Sequence, residues 1–304
     1  MNLFIVNTPY HLLISSSLIE KNDVLIIVDD FDFQNSRFSK MLVEKKMSSN
    51  DILIIQGLRQ FRKRIFKLKS HINVEANKII KKLEMEDIEN IHIFHDGHPL
   101  NQLLISKLAP KKDVILFEEG IGLYRDVKKR LHLVYYVLGK FLFGYDFENI
   151  TRIGEYKKTT KIVCNFPKAL NTKQLKKKIS LMEQPNFNNF DTLLKDLEEF
   201  KLYKSDIKFD LFISQPLVED GILTEKYYIE KLDLIFDDIL RKDYNFYIKP
   251  HPRESINKYH IFERKYGIKL IQNKDIPIEL LLINQKGSYI YTLYSSAVFN
   301  IGNN

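Results

Sequence analysis

Five short apolar runs punctuate the first half of the chain: LFIVN (3–7), VLIIV (24–28), ILIIQ (52–56), IHIFH (91–95) and VILFE (114–118). Their length and β-branched content fit strands buried on both faces. Between them, YHLLISSSLIE (10–20) and NQLLISKLA (101–109) space their apolar residues as helices do. Buried strands alternating with helices predict a parallel sheet with right-handed crossovers. From about 145 to 205 the alternation stops and Lys, Asn and Glu dominate, with FNNFDTLLKDLEEFKL (187–202) reading as an amphipathic helix. It then resumes: strand FDLFIS (209–214), helix EKYYIEKLDLIFDDILR (225–241), strand NFYIK (245–249), a helix near 255–265, strand IKLI (268–271), helix IPIELLLI (276–283) and strand SYIYT (288–292).

The pattern predicts an α/β protein of two Rossmann-like domains, 1–150 and 206–304, with parallel sheets facing a central cleft. An irregular, partly helical segment, 151–205, connects them. The length of 304 residues suits two such domains, and 44% apolar with 28% charged residues suits a globular protein with a sizeable core. The longest apolar stretch, LHLVYYVLGKFLFG (131–144), is too short to span a bilayer and carries His132 and Lys140. No signal peptide is read near Met1, and the single cysteine, Cys164, fits a reducing compartment. A cytoplasmic protein is expected.

The net charge of +8 is unevenly distributed. Residues 58–82 carry nine Lys or Arg and one acid, interleaved with Leu58, Phe61, Ile65, Phe66 and Leu68. Such a segment suits the surface of an anionic membrane, as does the aromatic run 131–145; an equally good account is a solvated helix whose apolar side enters the core. No nucleic-acid module is recognisable, so nucleic acid is not an expected partner.

Ligands of open α/β sheets bind at the carboxyl ends of the strands, and chemistry-bearing residues collect there. After VILF come Glu118, Glu119 and Gly120, then Tyr124. Adjacent acids point in different directions, so at most one of them faces a given substrate, where it can take a proton from a sugar hydroxyl; a solvated loop before a turn glycine explains the same residues. After FDLFIS come Gln215, Pro216, Glu219, Asp220 and Gly221, a second acidic pair closing on glycine. After NFYI come Lys249, Pro250, His251, Pro252 and Arg253. Two prolines restrict the backbone around His251, and an aimed imidazole between cations suits a phosphate leaving group. Ser295 and Ser296 follow the last strand, where they would cap a helix or bind an anion. Asp30 and Asp32 form an Asp-x-Asp pair of the kind that holds a cation, and HDGHP (95–99) reads as a loop before a helix. In NTPYHLL (7–13), Thr8 is a helix N-cap and Pro9 sits in the first turn.

Taken together these residues resemble the bacterial sialyltransferases of glycosyltransferase family 52 and their polysialyltransferase relatives. Glu118-Glu119-Gly120 is similar to their acidic-acidic-glycine motif, His251-Pro252 to their His-Pro motif, and Ser295-Ser296 to their Ser/Thr-rich motif. The resemblance spans almost the whole chain. It implies a GT-B-type fold, CMP-sialic acid as donor, inversion at the anomeric carbon, no cofactor and no metal. It implies Glu118 as base on the acceptor hydroxyl, with Asp220 in reserve, and His251 on the departing phosphate. Substrate contacts fall to Glu119, Gly120, Gln215, Lys249, Pro252, Ser295 and Ser296, and to Thr8 and Tyr10 on the acceptor side. The expected partners are CMP-sialic acid, a glycan acceptor (a galactoside of a surface polysaccharide or lipooligosaccharide), the anionic inner membrane as a peripheral contact, and a second copy in a homodimer. The carboxy-terminal half also resembles the CDP-glycerol glycerophosphotransferases, through Lys249-Pro250-His251-Pro252 and Leu293-Tyr294-Ser295-Ser296. Two further alternatives are a non-catalytic nucleotide binder and a metal-dependent transferase using Asp30 and Asp32.

Overall fold

The computed structural model describes residues 1–58, 65–84, 86–108, 112–126, 137, 139–142, 144, 147–183, 209–240, 245–282, 289–293 and 295, the side chains of 65–69 and 71 excepted. The chain divides into two compact units, Met1–Asn186 and Phe187–Asn304.

The first unit is built on a seven-stranded sheet in the order β3-β2-β1-β4-β5-β6-β7. The strands are β1 (Asn2–Val6), β2 (Val24–Asp29), β3 (Asp51–Gln56), β4 (Asn90–Ile93), β5 (Asp113–Phe117), β6 (Lys161–Cys164) and β7 (Lys178–Leu181). Every neighbouring pair runs parallel, with Ile5 opposite both Ile26 and Ile93 at the centre. Helices α1 (Pro9–Leu18), α2 (Arg37–Lys46), α3 (Ile65–Leu83) and α4 (Pro99–Leu108) make the crossovers. Leu3, Ile5, Ile26, Ile91, Ile93, Leu104 and Leu116 are all fully buried, which is why the strand sequences read as near-continuous apolar runs.

The five expected strands are all present, but the sheet does not end with them. Residues 151–205, set apart in the sequence pattern as a connector, contribute β6 and β7. Polar anchors hold this part to the first unit. Buried Asp96 accepts from the N–H groups of Gly154 (2.9 Å) and Tyr156 (3.2 Å) and from the Thr159 hydroxyl (3.0 Å). Gln174 donates to the carbonyls of Leu123 (2.7 Å) and Ile153 (2.6 Å). The amphipathic stretch 187–202 lies outside the described residues.

The second unit has a four-stranded parallel sheet, β10-β9-β8-β11, formed by β8 (Phe209–Ile213), β9 (Asn245–Lys249), β10 (Lys269–Leu270) and β11 (Ile290–Thr292). Helices α5 (Glu225–Ile239), α6 (His260–Tyr266) and α7 (Ile278–Leu282) accompany it. Its core turns on Phe236, packed edge-on against Phe212, Phe246 and Phe262 with centroids 4.9–5.7 Å apart. The two successions of strand and crossover are the mixed α/β, parallel-sheet architecture expected of the chain.

Candidate active site

In the first sheet the strand order reverses between β1 and β4, the switch point at which an open α/β sheet leaves a crevice for ligands. The loops beyond these strands bring polar groups together. Thr8 caps α1, its side chain accepting from the N–H of His11 at 3.2 Å, and Pro9 occupies the first turn. His11 is thereby placed one turn beyond the end of β1. Its ring stacks on Phe94 at 4.6 Å between centroids and 9° between planes. Nδ1 accepts from the N–H of Asn7 at 3.1 Å, which assigns the proton of neutral His11 to Nε2. Nε2 lies 2.5 Å from Oε2 of Glu119, beyond β5. From the β4 loop, His95 and His98 face the same cluster, and His98 pairs with Asp30 of the β2 loop at 3.0 Å. Asn101 fastens the two central loops together, donating to Asn7 Oδ1 at 2.9 Å and to the His95 carbonyl at 2.8 Å.

Glu118 and Glu119 point to different places. Glu118 is 1% exposed; its Oε2 accepts from the N–H of Asn165 at 2.5 Å and from the Tyr124 hydroxyl, which in turn accepts from the N–H of Phe166. It joins the ends of β5 and β6, and its Oε1 is buried without a partner. Burial and the neighbouring carboxylate push the Tyr124 hydroxyl up, beyond the ordinary phenol range. Glu119 keeps 23% of its side chain exposed. Burial pushes its carboxyl up, but the His11 hydrogen bond and the charges of His11, His95 and His98 outweigh that and hold it below the usual value. Gly120 then adopts φ 135°, ψ −155°, a region open essentially to glycine alone, to turn the chain into the 3₁₀ turn Ile121–Leu123.

In the second unit, Pro250, His251 and Pro252 follow β9 as expected, with Pro250 buried and Pro252 exposed. The N–H of His251 donates to Glu254 Oε2 at 2.7 Å and to Ser214 Oγ at 3.2 Å. The N–H of Arg253 donates to His251 Nδ1 at 3.2 Å, which leaves the proton on Nε2. Burial, with Arg253 and Lys249 adding to it, pulls the imidazole down to about 4, so the ring is a neutral donor at pH 7. Beneath the loop lies a buried network: Glu254 accepts from Ser214 Oγ, from Tyr259 (2.7 Å) and from Lys258 (2.7 Å), and Lys258 also reaches Glu219 at 3.0 Å. Lys249 is 5% exposed, and its ammonium donates to the carbonyls of Pro250 and Lys274, shaping the loop from inside.

Asp220 forms a two-pronged ion pair with Arg253 at 2.5 and 3.0 Å, and Gln215 is buried at the end of β8. Ser295 is half-buried, its N–H donating to Thr292 Oγ1 at 3.1 Å; Ser296 lies outside the described residues. Tyr10 is half-buried at the start of α1. Asp30 and Asp32 have separate partners, Asp32 holding the Asn35 amide at 2.9 Å. His11, His95 and His98 escape the sequence argument, although the stretches holding them, NTPYHLL and HDGHP, stand at strand ends. The signal available was that position, and helix-capping and loop chemistry explained both stretches without it.

A family model described as alpha-2,8-polysialyltransferase (POLYST) matches residues 2–302. The chain belongs to that family. This polysialyltransferase-family chain is therefore a sialyltransferase, an enzyme of the glycosyltransferase class, as the Glu-Glu-Gly, His-Pro and Ser-Ser motifs imply. Among solved structures it is similar to the GT-B domain of a sialyltransferase from Photobacterium damselae, with 16% identity over 99% of this chain and 88% of that one and a TM-score of 0.58. It is also similar to a 2,6-sialyltransferase from Photobacterium sp. JT-ISH-224, solved with CMP and lactose, with 13% identity, 98% and 69% coverage and a TM-score of 0.60. A UDP-GlcNAc 2-epimerase from Methanocaldococcus jannaschii matches equally well, with 15% identity, 98% and 80% coverage and a TM-score of 0.59. At such identities these neighbours establish the GT-B-type fold, and the epimerase among them illustrates that the fold alone does not fix the reaction. No curated protein sequence matches the chain significantly.

Proposed function

We propose that this protein transfers sialic acid from CMP-sialic acid to a glycan acceptor, with inversion at the anomeric carbon and without a metal. The observation that carries the proposal is the His251 loop. A neutral imidazole, with Nδ1 engaged by the Arg253 N–H, presents an Nε2 proton beside two cationic side chains. CMP leaves as a monophosphate, with no pyrophosphate for a cation to bridge, so a preorganised donor can stabilise the charge that develops. Ser295 and Ser296 would add hydroxyl contacts to the same phosphate. An acid of the Glu118-Glu119 pair would take the proton of the acceptor hydroxyl as its oxygen attacks. Family membership supports the sialyl group. The structural neighbour solved with CMP and lactose supports a cytidine donor and a galactose-ended acceptor, while the family description points to a sialylated one. We place the reaction at the cytoplasmic face of the inner membrane, in the assembly of a surface polysaccharide or lipooligosaccharide. The basic segment 58–82 supports this location through its charge and interleaved aromatic residues.

The test is release of CMP from CMP-sialic acid in EDTA, with a lactose-type or a sialylated acceptor and without either. Acceptor-dependent release that persists in EDTA is expected. Release from CDP-glycerol instead would move the protein to the glycerophosphotransferase reaction, and release that EDTA abolishes would require a metal.

A further inference from the structure

Two adjacent carboxylates compete for one role, and their surroundings separate them. Glu118 is closed off: Oε2 is filled by Asn165 and Tyr124, and Oε1 is buried without a partner. A sugar hydroxyl reaches neither oxygen unless the ends of β5 and β6 come apart. Glu119 has the opposite arrangement. Oε2 is held by His11, while the side chain keeps 23% of its surface open at the switch point of the sheet. The holding group is itself fixed from three sides: the Asn7 N–H on Nδ1, the face of Phe94, and the capped first turn of α1.

We propose that Glu119, positioned by His11, is the base that accepts the proton of the acceptor hydroxyl, and that Glu118 is the buried clamp between β5 and β6. The inference rests on the sialyl-transfer reading above. As the acceptor oxygen bonds to the anomeric carbon, its proton passes to Glu119. The anomeric carbon–phosphate oxygen bond breaks with its electron pair, which leaves on CMP. His11 is a positioning residue: its Nε2 proton fixes the orientation of the carboxylate and favours its ionised form. The charged and titratable groups facing Glu119 are His11 from α1 and His95 and His98 from the β4 loop, with Asp30 of the β2 loop behind His98. Removal of the His11 hydrogen bond leaves burial acting with less opposition, so the carboxyl titrates at higher pH.

The experiment compares Glu119→Gln, Glu118→Gln, His11→Leu and His11→Gln with the parent, measuring CMP binding and acceptor-dependent transfer for each. Glu119→Gln is expected to bind CMP as the parent does and to lose about 10²–10⁴-fold in kcat, while Glu118→Gln stays within about tenfold. His11→Leu should move the acid limb of the kcat/KM profile to higher pH than in the parent. His11→Gln, whose amide can still donate to Oε2, should bring it back. Transfer lost in Glu118→Gln but kept in Glu119→Gln overturns the assignment. An acid limb unmoved by His11→Leu removes the positioning role. Failure of the parent to bind CMP or to transfer at all strikes instead at the sialyl-transfer reading. The parent–His11→Leu comparison decides the point even if Glu119→Gln folds poorly.

Discussion

The backbone N–H of His251 donates to Oε2 of Glu254 at 2.7 Å, and the other oxygen of Glu254 takes the buried ammonium of Lys258, also at 2.7 Å. An internal ion pair thus fixes the loop from below, and the two prolines restrict it from either side. Glu254→Ala removes the carboxylate that the His251 N–H and the hydroxyls of Ser214 and Tyr259 share, and leaves Glu219 as the carboxylate partner of buried Lys258. A loss of about 3–5 kcal/mol in the second unit is expected, measured by urea unfolding. A loss under about 1 kcal/mol would mean that the network does not fix the loop.

Asp220 has the sequence context of a base but the surroundings of a surface partner. Its pair with Arg253 has side chains 34% and 35% exposed, so solvent screens it and it contributes at most about 1 kcal/mol. Asp220→Asn should unfold near the parent midpoint and keep transfer within a few-fold. A drop of a hundredfold or more in kcat, with CMP binding intact, would return Asp220 to the catalytic role.

His92 lies between Phe4 and Phe117, with ring centroids 4.4 and 5.6 Å away and both nitrogens buried without partners. Burial pulls its titration down to about 4, against the opposing charge of Asp23. The unfolded chain therefore binds more protons between about 6.5 and about 4, and stability falls as pH falls through that window. Asp96, pushed up to about 6 by its own burial, works in the opposite sense over part of the same range. His92→Phe removes one contribution and leaves the other. The difference in Tm between pH 7 and pH 4.5 should be smaller in His92→Phe than in the parent; an equal or larger difference contradicts the assignment.

At Gly120, φ 135° with ψ −155° is a backbone that side chains rarely permit. Gly120→Ala should cost about 1–3 kcal/mol and reduce transfer, because the strain falls on the residue that follows Glu119. Chemical denaturation and a transfer assay would check the two effects separately. An alanine variant as stable and active as the parent would show that the turn accommodates other conformations.

Much of this was legible in the chain because the central strands have buried residues on both faces: Ile5 and Ile26 sit in uninterrupted apolar runs, and Ile93 in one broken only by His92. Strands β6 and β7 are only four residues long and have lysines at their ends. Ile162 and Cys164 of β6 do enter the core of the first unit, but so few buried residues leave a weak hydrophobic period, and the polar anchors Asp96 and Gln174 leave none. The strand-end rule located the Glu118-Glu119 pair and His251. It could not say which acid faces outward, since that depends on Asn165 and Tyr124 filling one side and His11 waiting on the other. His11 looks like an ordinary helix residue until the sheet order sets α1 beside the end of β5. The cations flanking His251 were visible, but their tasks were not: Lys249 turns inward to two carbonyls and Arg253 is occupied by Asp220.

The most direct test of the account is the mass of a glycan acceptor after incubation with CMP-sialic acid, EDTA and either the parent or His251→Ala. The account predicts an acceptor heavier by sialic acid with the parent, and a rate lowered by about 10²–10⁴-fold in a folded His251→Ala. An acceptor left unchanged by the parent, or sialylated equally well by His251→Ala, would contradict it.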